Sequence, residues 1–152
     1  MSKLSPRYQE ILLDHSQHPR HFGELENPTH AAFGSNPLCS DDIKLYLILA
    51  GQTINAIQFT GSGCHICLAS ASLLTEHLQN KTVLEAQDCF ATFLQLVENN
   101  VATETSSLGQ LTIFAHIHHS PLQVKCAIFP WQLLKVALIK EPQSEKPDVR
   151  MV

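Results

Sequence analysis

The chain has 152 residues, 44% of them hydrophobic and 16% charged, with a formal net charge of −4. That length suits one domain able to bury a core without disulfide staples, and the composition excludes a disordered chain. Ten Lys and Arg scattered along the sequence form no phosphate-binding face, so nucleic acid is not an expected partner, and no apolar run approaches the ~20 residues of a membrane span.

In chain order, "MSKLSPRYQEILLDHS" lacks the solid apolar core of a signal peptide. Leu4, Tyr8, Ile11, Leu12 and His15 fall instead at helical spacing, which predicts an amphipathic helix ending near "HPRHFG". The expected location is the cytosol, where thiols stay reduced. Residues 20–38 are rich in Gly, Pro and Asn and read mainly as loop, with "HAAFGS" as the source of any third strand. "IKLYLILAG" and "INAIQFTG", separated by Gln52 and Thr53, predict an antiparallel hairpin. After Gly63 the pattern turns helical to about Gln79, with Ala69, Ser70, Ala71 and Ser72 allowing close packing. Thr82 followed by Glu85 is a capping box. It opens a helix that places Ala86, Cys89, Phe90, Phe93, Leu94 and Val97 on one face. The stretch 107–119 fits either a helix or a strand. A last helix is expected from about Pro130 to Lys140, since proline is tolerated in a first turn. Residues 1–140 are therefore expected to form one domain, and the polar tail 141–152 to be disordered.

Five cysteines, an odd number, favour metal or thiol chemistry over a disulfide framework. Cys89 lies on an apolar helix face and is expected to pack as a small hydrophobe. Cys64 follows "GSG" and precedes a helix, whose N-terminus favours the thiolate. Cys126, beside Lys125, is expected shortly before the last helix. Cys39 sits in the loop "NPLCSDD", and Asp41, two residues on, points to the same side of an extended segment. Three thiolates and one carboxylate would suit a four-coordinate Zn²⁺. The four residues are spread over most of the chain, however, so the spacing is no finger signature and leaves open whether they share a metal.

These segments resemble, in order, the motifs of the U-type iron–sulfur cluster assembly family, the group of IscU, the NifU N-terminal domain and SufU. "ILLDHSQHPRHFGEL" is similar to its opening pattern, "NPLCSDDI" to its first ligand motif, "FTGSGCHICLASASLLTE" to its second and "VKCAIFPWQLLKVAL" to its third. The resemblance runs over about residues 6–140. It implies an α+β fold with a small antiparallel sheet, helices packed on one face and a metal site at one end. It carries the family's metal ligands onto Cys39, Asp41, Cys64 and Cys126. Lys125, where the scaffold branch has histidine, and the long stretch between Cys64 and Cys126 resemble the SufU branch. Members of that branch are zinc proteins that accept sulfur from a cysteine desulfurase of the SufS type. They supply a downstream cluster scaffold or apo iron–sulfur proteins. By the same resemblance, a desulfurase histidine displaces one cysteine ligand and Cys39 becomes the nucleophile. Scaffold members instead build a [2Fe–2S] cluster on the same positions.

Two positions depart from the family pattern. Ser40 replaces the glycine of Cys-Gly-Asp, which would strain the loop if φ is positive there, and Gln123 replaces an arginine. Both motivate a third expectation, a zinc-binding paralogue without transfer activity. Cys67 replaces a serine and is expected to pack within its helix, the alternatives being a fifth ligand or a resolving thiol. A redox C-x-x-C would sit in a thioredoxin-like βαβ unit, which the pattern does not show. His15, His18 and His21 are expected to cap the first helix or lie exposed. His116, His118 and His119 lie close enough in sequence to approach Cys126, but exposure or capping is expected for them too.

Overall fold

The computed structural model describes residues 6–99 and 108–139. Its elements are helix α1 (Pro6–Gln17), strands β1 (His30–Asn36), β2 (Asp41–Ala50) and β3 (Thr53–Ser62), and helices α2 (His65–Leu78) and α3 (Val83–Asn99). A 3₁₀ helix (Gly109–His119) and helix α4 (Pro121–Ile139) follow. Leu4 and the tail 141–152 lie outside the described residues.

The strands form one antiparallel sheet in the order β1–β2–β3, with "HAAFGS" supplying the third strand. Side chains alternate faces along a strand, and the register sets which of them meet. Ala32 pairs with Leu45 and Leu45 with Phe59, while Gly34 pairs with Ile43 and Ile43 with Gly61. Ala32, Ile43, Leu45, Leu47, Ile57 and Phe59 are fully buried and belong to the core shared with α2 and α4. Continuing that face by steps of two brings Asn36 and Asp41 opposite each other at its end. The hydrophobic alternation thus delivers a carboxylate to the rim of the core.

α2 is buried on most of its circumference, and Ala69, Ser70, Ala71 and Ser72 are all at 0% exposure. The Ser70 hydroxyl donates to the Ala127 carbonyl of α4 at 2.6 Å. Ser72 Oγ pairs with His15 Nδ1 at 2.7 Å and accepts the Arg20 N–H at 2.8 Å, tying α1 to α2. His15 is therefore buried, not a capping or exposed residue. The capping box of α3 forms as expected, Thr82 N–H donating to Glu85 Oε1 (2.8 Å) and Glu85 N–H to Thr82 Oγ1 (3.0 Å). Cys89 is buried on the inner face of α3, and burial pushes its thiol up to about 11.

Among the described residues of the ambiguous stretch, Gly109–His119 form a helix of unusual type. Leu108, Leu111, Phe114 and Ile117 recur every three residues and are all buried, the period of a 3₁₀ helix.

Two expectations for the last helix are corrected. It begins at Pro121, not Pro130, with the Ser120 hydroxyl accepting the Gln123 N–H at 3.4 Å. Both prolines carry the same first-turn signal, and Pro130 instead sits inside the helix, buried. Its ring removes the donor that would bond the Cys126 carbonyl. Cys126 therefore lies within the second turn of α4 and not ahead of it. α4 also has the length and apolar composition to cross a bilayer, contrary to the expectation that no segment does, yet 56% of that window is buried inside the protein. Trp131, Leu133, Leu134 and Ala137 pack it into the core, which accounts for the composition.

Candidate metal centre

Four chain segments meet at the end of the sheet. Asp41 opens β2 on the core face and Cys39 rides the loop that joins β1 to β2. Cys64 is the N-cap of α2, and Cys126 projects from α4. The donor atoms of Cys39, Asp41, Cys64 and Cys126 all lie within 4.8 Å of one another. A tetrahedral site with sulfur bonds of about 2.3 Å has donor–donor edges of roughly 3.7 Å, so one ion would require the longest edges to close and the Cys39 and Cys126 sulfurs to move apart. The Cys39 and Cys126 sulfurs are in contact. Their Cα atoms are 7.1 Å apart, beyond the usual span of a disulfide, so we describe two thiols converging on a common point.

The carboxylate is held from two sides. Cys64 N–H donates to Asp41 Oδ1 at 2.8 Å and Asn36 Nδ2 to Asp41 Oδ2 at 3.2 Å. Asn36 Nδ2 also faces Cys126 Sγ at 4.0 Å, and its Oδ1 accepts the Leu38 N–H at 3.3 Å. One buried asparagine thus touches two donors and shapes the loop bearing a third. Sequence reasoning missed it, although Asn before Pro is a turn-initiating signal. Gly63 is equally constrained, because a Cβ there would overlap the Asp41 carboxylate. Ser40 has φ +55°, so the residue replacing the family glycine occupies the left-handed region that costs a side chain energy.

Asp41 and Cys126 are both 1% exposed, whereas Cys39 and Cys64 are half-buried. Burial raises the Asp41 carboxyl above the usual carboxylate range, against the pull of the Cys64 N–H and the Asn36 amide. Burial likewise raises the Cys64 thiol, although its sulfur accepts the Cys67 N–H at the helix start. The helix terminus alone was expected to favour the thiolate; desolvation outweighs it. A divalent cation would reverse this balance by supplying the charge that lets buried donors ionise.

The other sequence-predicted residues fall outside the four-donor set. Cys67 is fully buried, as packing requires. Nδ1 of His116 and of His118 each faces a backbone carbonyl three residues earlier, of Ile113 and Ala115, and His118 and His119 are exposed. His118 lines a groove of about 540 Å³ beside the site, together with Asn36, Leu38, Lys125 and Gln132. Gln123 stands three residues before Cys126 on α4 and is uncharged.

With that geometry in view, the chain was compared with known proteins. The profile of the NifU-like N terminal domain matches residues 7–127. The chain is 29% identical to the zinc-dependent sulfurtransferase SufU of Bacillus subtilis, over 92% of this chain and 95% of that protein. It is 30% identical to the iron–sulfur cluster assembly scaffold protein IscU of Streptococcus pyogenes, over 95% and 91%. Among solved structures, FiSufU of Fervidobacterium islandicum, described as a candidate cluster assembly scaffold of the SUF system, superposes with a TM-score of 0.80. It is 29% identical, over 85% of this chain and 94% of that one. The chain therefore belongs to the NifU-like N-terminal domain family of iron–sulfur cluster assembly proteins.

Proposed function

We propose that this protein is a zinc-dependent sulfur acceptor that works with a cysteine desulfurase in the cytosol. The observation that carries the reading is the convergence of three sulfurs and one carboxylate within 4.8 Å, with only one of the sulfurs on an exposed hairpin loop. Bound zinc would hold the sulfurs of Cys39, Cys64 and Cys126 as thiolates at neutral pH. Asp41 is the fourth donor, oriented by Cys64 N–H and Asn36.

Cys39 is the nucleophile in this reading. Its loop neighbour Leu38 is 56% exposed, whereas Cys126 is walled into α4 at 1%. The Cys39 thiolate attacks the outer sulfur of the desulfurase persulfide. A new sulfur–sulfur bond forms on Cys39, the bond within the partner breaks, and the desulfurase cysteine leaves as thiolate. The groove lined by Leu38, His118 and Lys125 lies beside Cys39, where the partner must approach. The sulfur then passes to a cluster scaffold or an apo iron–sulfur protein.

The relative named as a scaffold favours a second reading, a [2Fe–2S] cluster built on the same donors. The left-handed Ser40 and neutral Gln123 favour a third, a zinc protein without transfer. Protein purified without added metal, analysed for zinc, iron and acid-labile sulfide, and assayed for stimulation of a SufS-type desulfurase separates the three. Zinc with stimulation that Cys39→Ala abolishes is the expected result. Iron with sulfide would replace the reading by the scaffold, and zinc without stimulation by the inactive paralogue.

A further inference from the structure

Two of the four donors ride on helices, Cys64 at the N-cap of α2 and Cys126 within α4. Their separation depends on how those two helices are set against each other, not on a loop. A buried hydrogen bond joins the helices at that level. Ser70 is at 0% exposure, less than two turns past Cys64, and its hydroxyl donates to the Ala127 carbonyl at 2.6 Å. A serine inside a helix can bond a carbonyl of its own helix; this one crosses to the residue next to Cys126. The acceptor side carries its own departure from the regular ladder. Pro130, buried within α4, offers no N–H to the Cys126 carbonyl four residues back, and a helical proline ring crowds that carbonyl. Of two successive carbonyls, that of Cys126 thus lacks its usual donor and that of Ala127 takes one from α2.

We propose that Ser70 and Pro130 are positioning residues for Cys126. The proline frees the turn that begins at this ligand, and the serine pins that turn against the helix carrying Cys64. The inference rests on the metal-site reading above and adds no donor to it, since neither residue belongs to the four-donor set. Their effect is on where the Cys126 sulfur sits relative to Cys64, and so on how tightly the set closes on an ion.

Zinc affinity, read by competition with a chromophoric chelator, separates positioning from a general loss of stability. The full-length protein would be stripped of metal and kept reduced. Wild type would be compared with Ser70→Ala, Pro130→Ala and Ser72→Ala, each checked for folding by circular dichroism. Ser72→Ala is the control, because it removes an equally buried hydroxyl of α2 that faces α1, bonded to His15 and Arg20. We expect zinc to bind about tenfold or more weaker in Ser70→Ala and Pro130→Ala, the scale of loss when groups that orient metal ligands are removed. Ser72→Ala should lower the Tm of the apo protein and leave the zinc Kd at its wild-type value. Should Ser70→Ala fail to fold, Pro130→Ala decides. A folded variant of Ser70 or Pro130 that binds zinc as tightly as wild type overturns the positioning pair and leaves the metal site standing. A loss of affinity in Ser72→Ala equal to theirs does the same. Wild-type protein that takes up no zinc overturns both.

Discussion

The two ends of strand β2 turn the chain by different means. At one end Ala50 pairs with Thr53 across a tight turn with Gly51 at φ +64°, open space around it. The backbone ties that end to the start of α3, with Ile54 N–H donating to Lys81 O and Val83 N–H to Gln52 O, each at 2.8 Å. At the other end Asn36 pairs with Asp41 across a four-residue loop whose left-handed residue is Ser40, at φ +55°. Side chains hold that loop, through Asn36, and three of its neighbours are the thiol and carboxylate donors of the candidate site. Backbone hydrogen bonds make the first turn independent of any ligand. The second carries groups that desolvate one another, a cost that a bound cation would relieve.

The largest test of that contrast is removal of the metal. A chelator should destabilise zinc-loaded protein by about 4 kcal/mol if zinc was present at a thousand times its Kd, lowering Tm by roughly 8–16 °C. Hydrogen exchange should rise mainly at residues 36–41 and not at 50–53. Equal exchange at both turns would break the contrast.

Gly63→Ala comes next. The added methyl overlaps the Asp41 carboxylate, so the fold should lose about 1–3 kcal/mol and zinc affinity should fall. Gly51→Ala meets no neighbour; its left-handed penalty of about 1–2 kcal/mol is offset by about 0.5–1 kcal/mol of lost unfolded-state freedom, so it should cost up to about 1.5 kcal/mol, with zinc affinity unchanged. Urea melts and zinc titration of the pair measure both quantities.

Ser40→Gly should be a smaller change with the opposite sign. It relieves a left-handed side chain at about 1–2 kcal/mol but adds unfolded-state freedom worth about 0.5–1 kcal/mol. The net expectation is a gain of up to about 1.5 kcal/mol in urea unfolding. Increased desulfurase stimulation in the same variant would identify Ser40 as a brake on transfer.

The smallest effect is a control remote from both turns. His15 is 2% exposed; burial first, then the charge of Arg20, lowers its folded pKa, against the opposing pull of Glu76 and Asp14. The unfolded chain therefore takes up the proton more readily. The His15 contribution is intact above pH ~6.5 and is lost as pH falls through that value toward the folded pKa. Apo protein should show a Tm that drops between pH 7.5 and 5.5, with a shallower drop in His15→Asn. An unchanged slope would remove His15 as the cause.

What the sequence determined by itself was set by short-range physics. The β2–β3 hairpin, the Thr82–Glu85 box and the helix after Gly63 each follow from periodicity or a local hydrogen bond, and each formed as expected. The 3₁₀ helix was legible too, in the three-residue spacing of Leu108, Leu111, Phe114 and Ile117, but that period was not the one sought. The start of α4 was not decidable locally, because Pro121 and Pro130 carry the same signal and only burial of Pro130 in the core distinguishes them. Family motifs named Cys39, Asp41, Cys64 and Cys126, yet residues spread over most of the chain acquire a common site only when strand register sets Asp41 against Asn36. Packing of α2 and α4 must then close the set. The same holds for Asn36, since its role is a distance between elements. Tertiary structure alone decided that desolvation outweighs the helix terminus at Cys64, because burial depends on what the rest of the chain places over it.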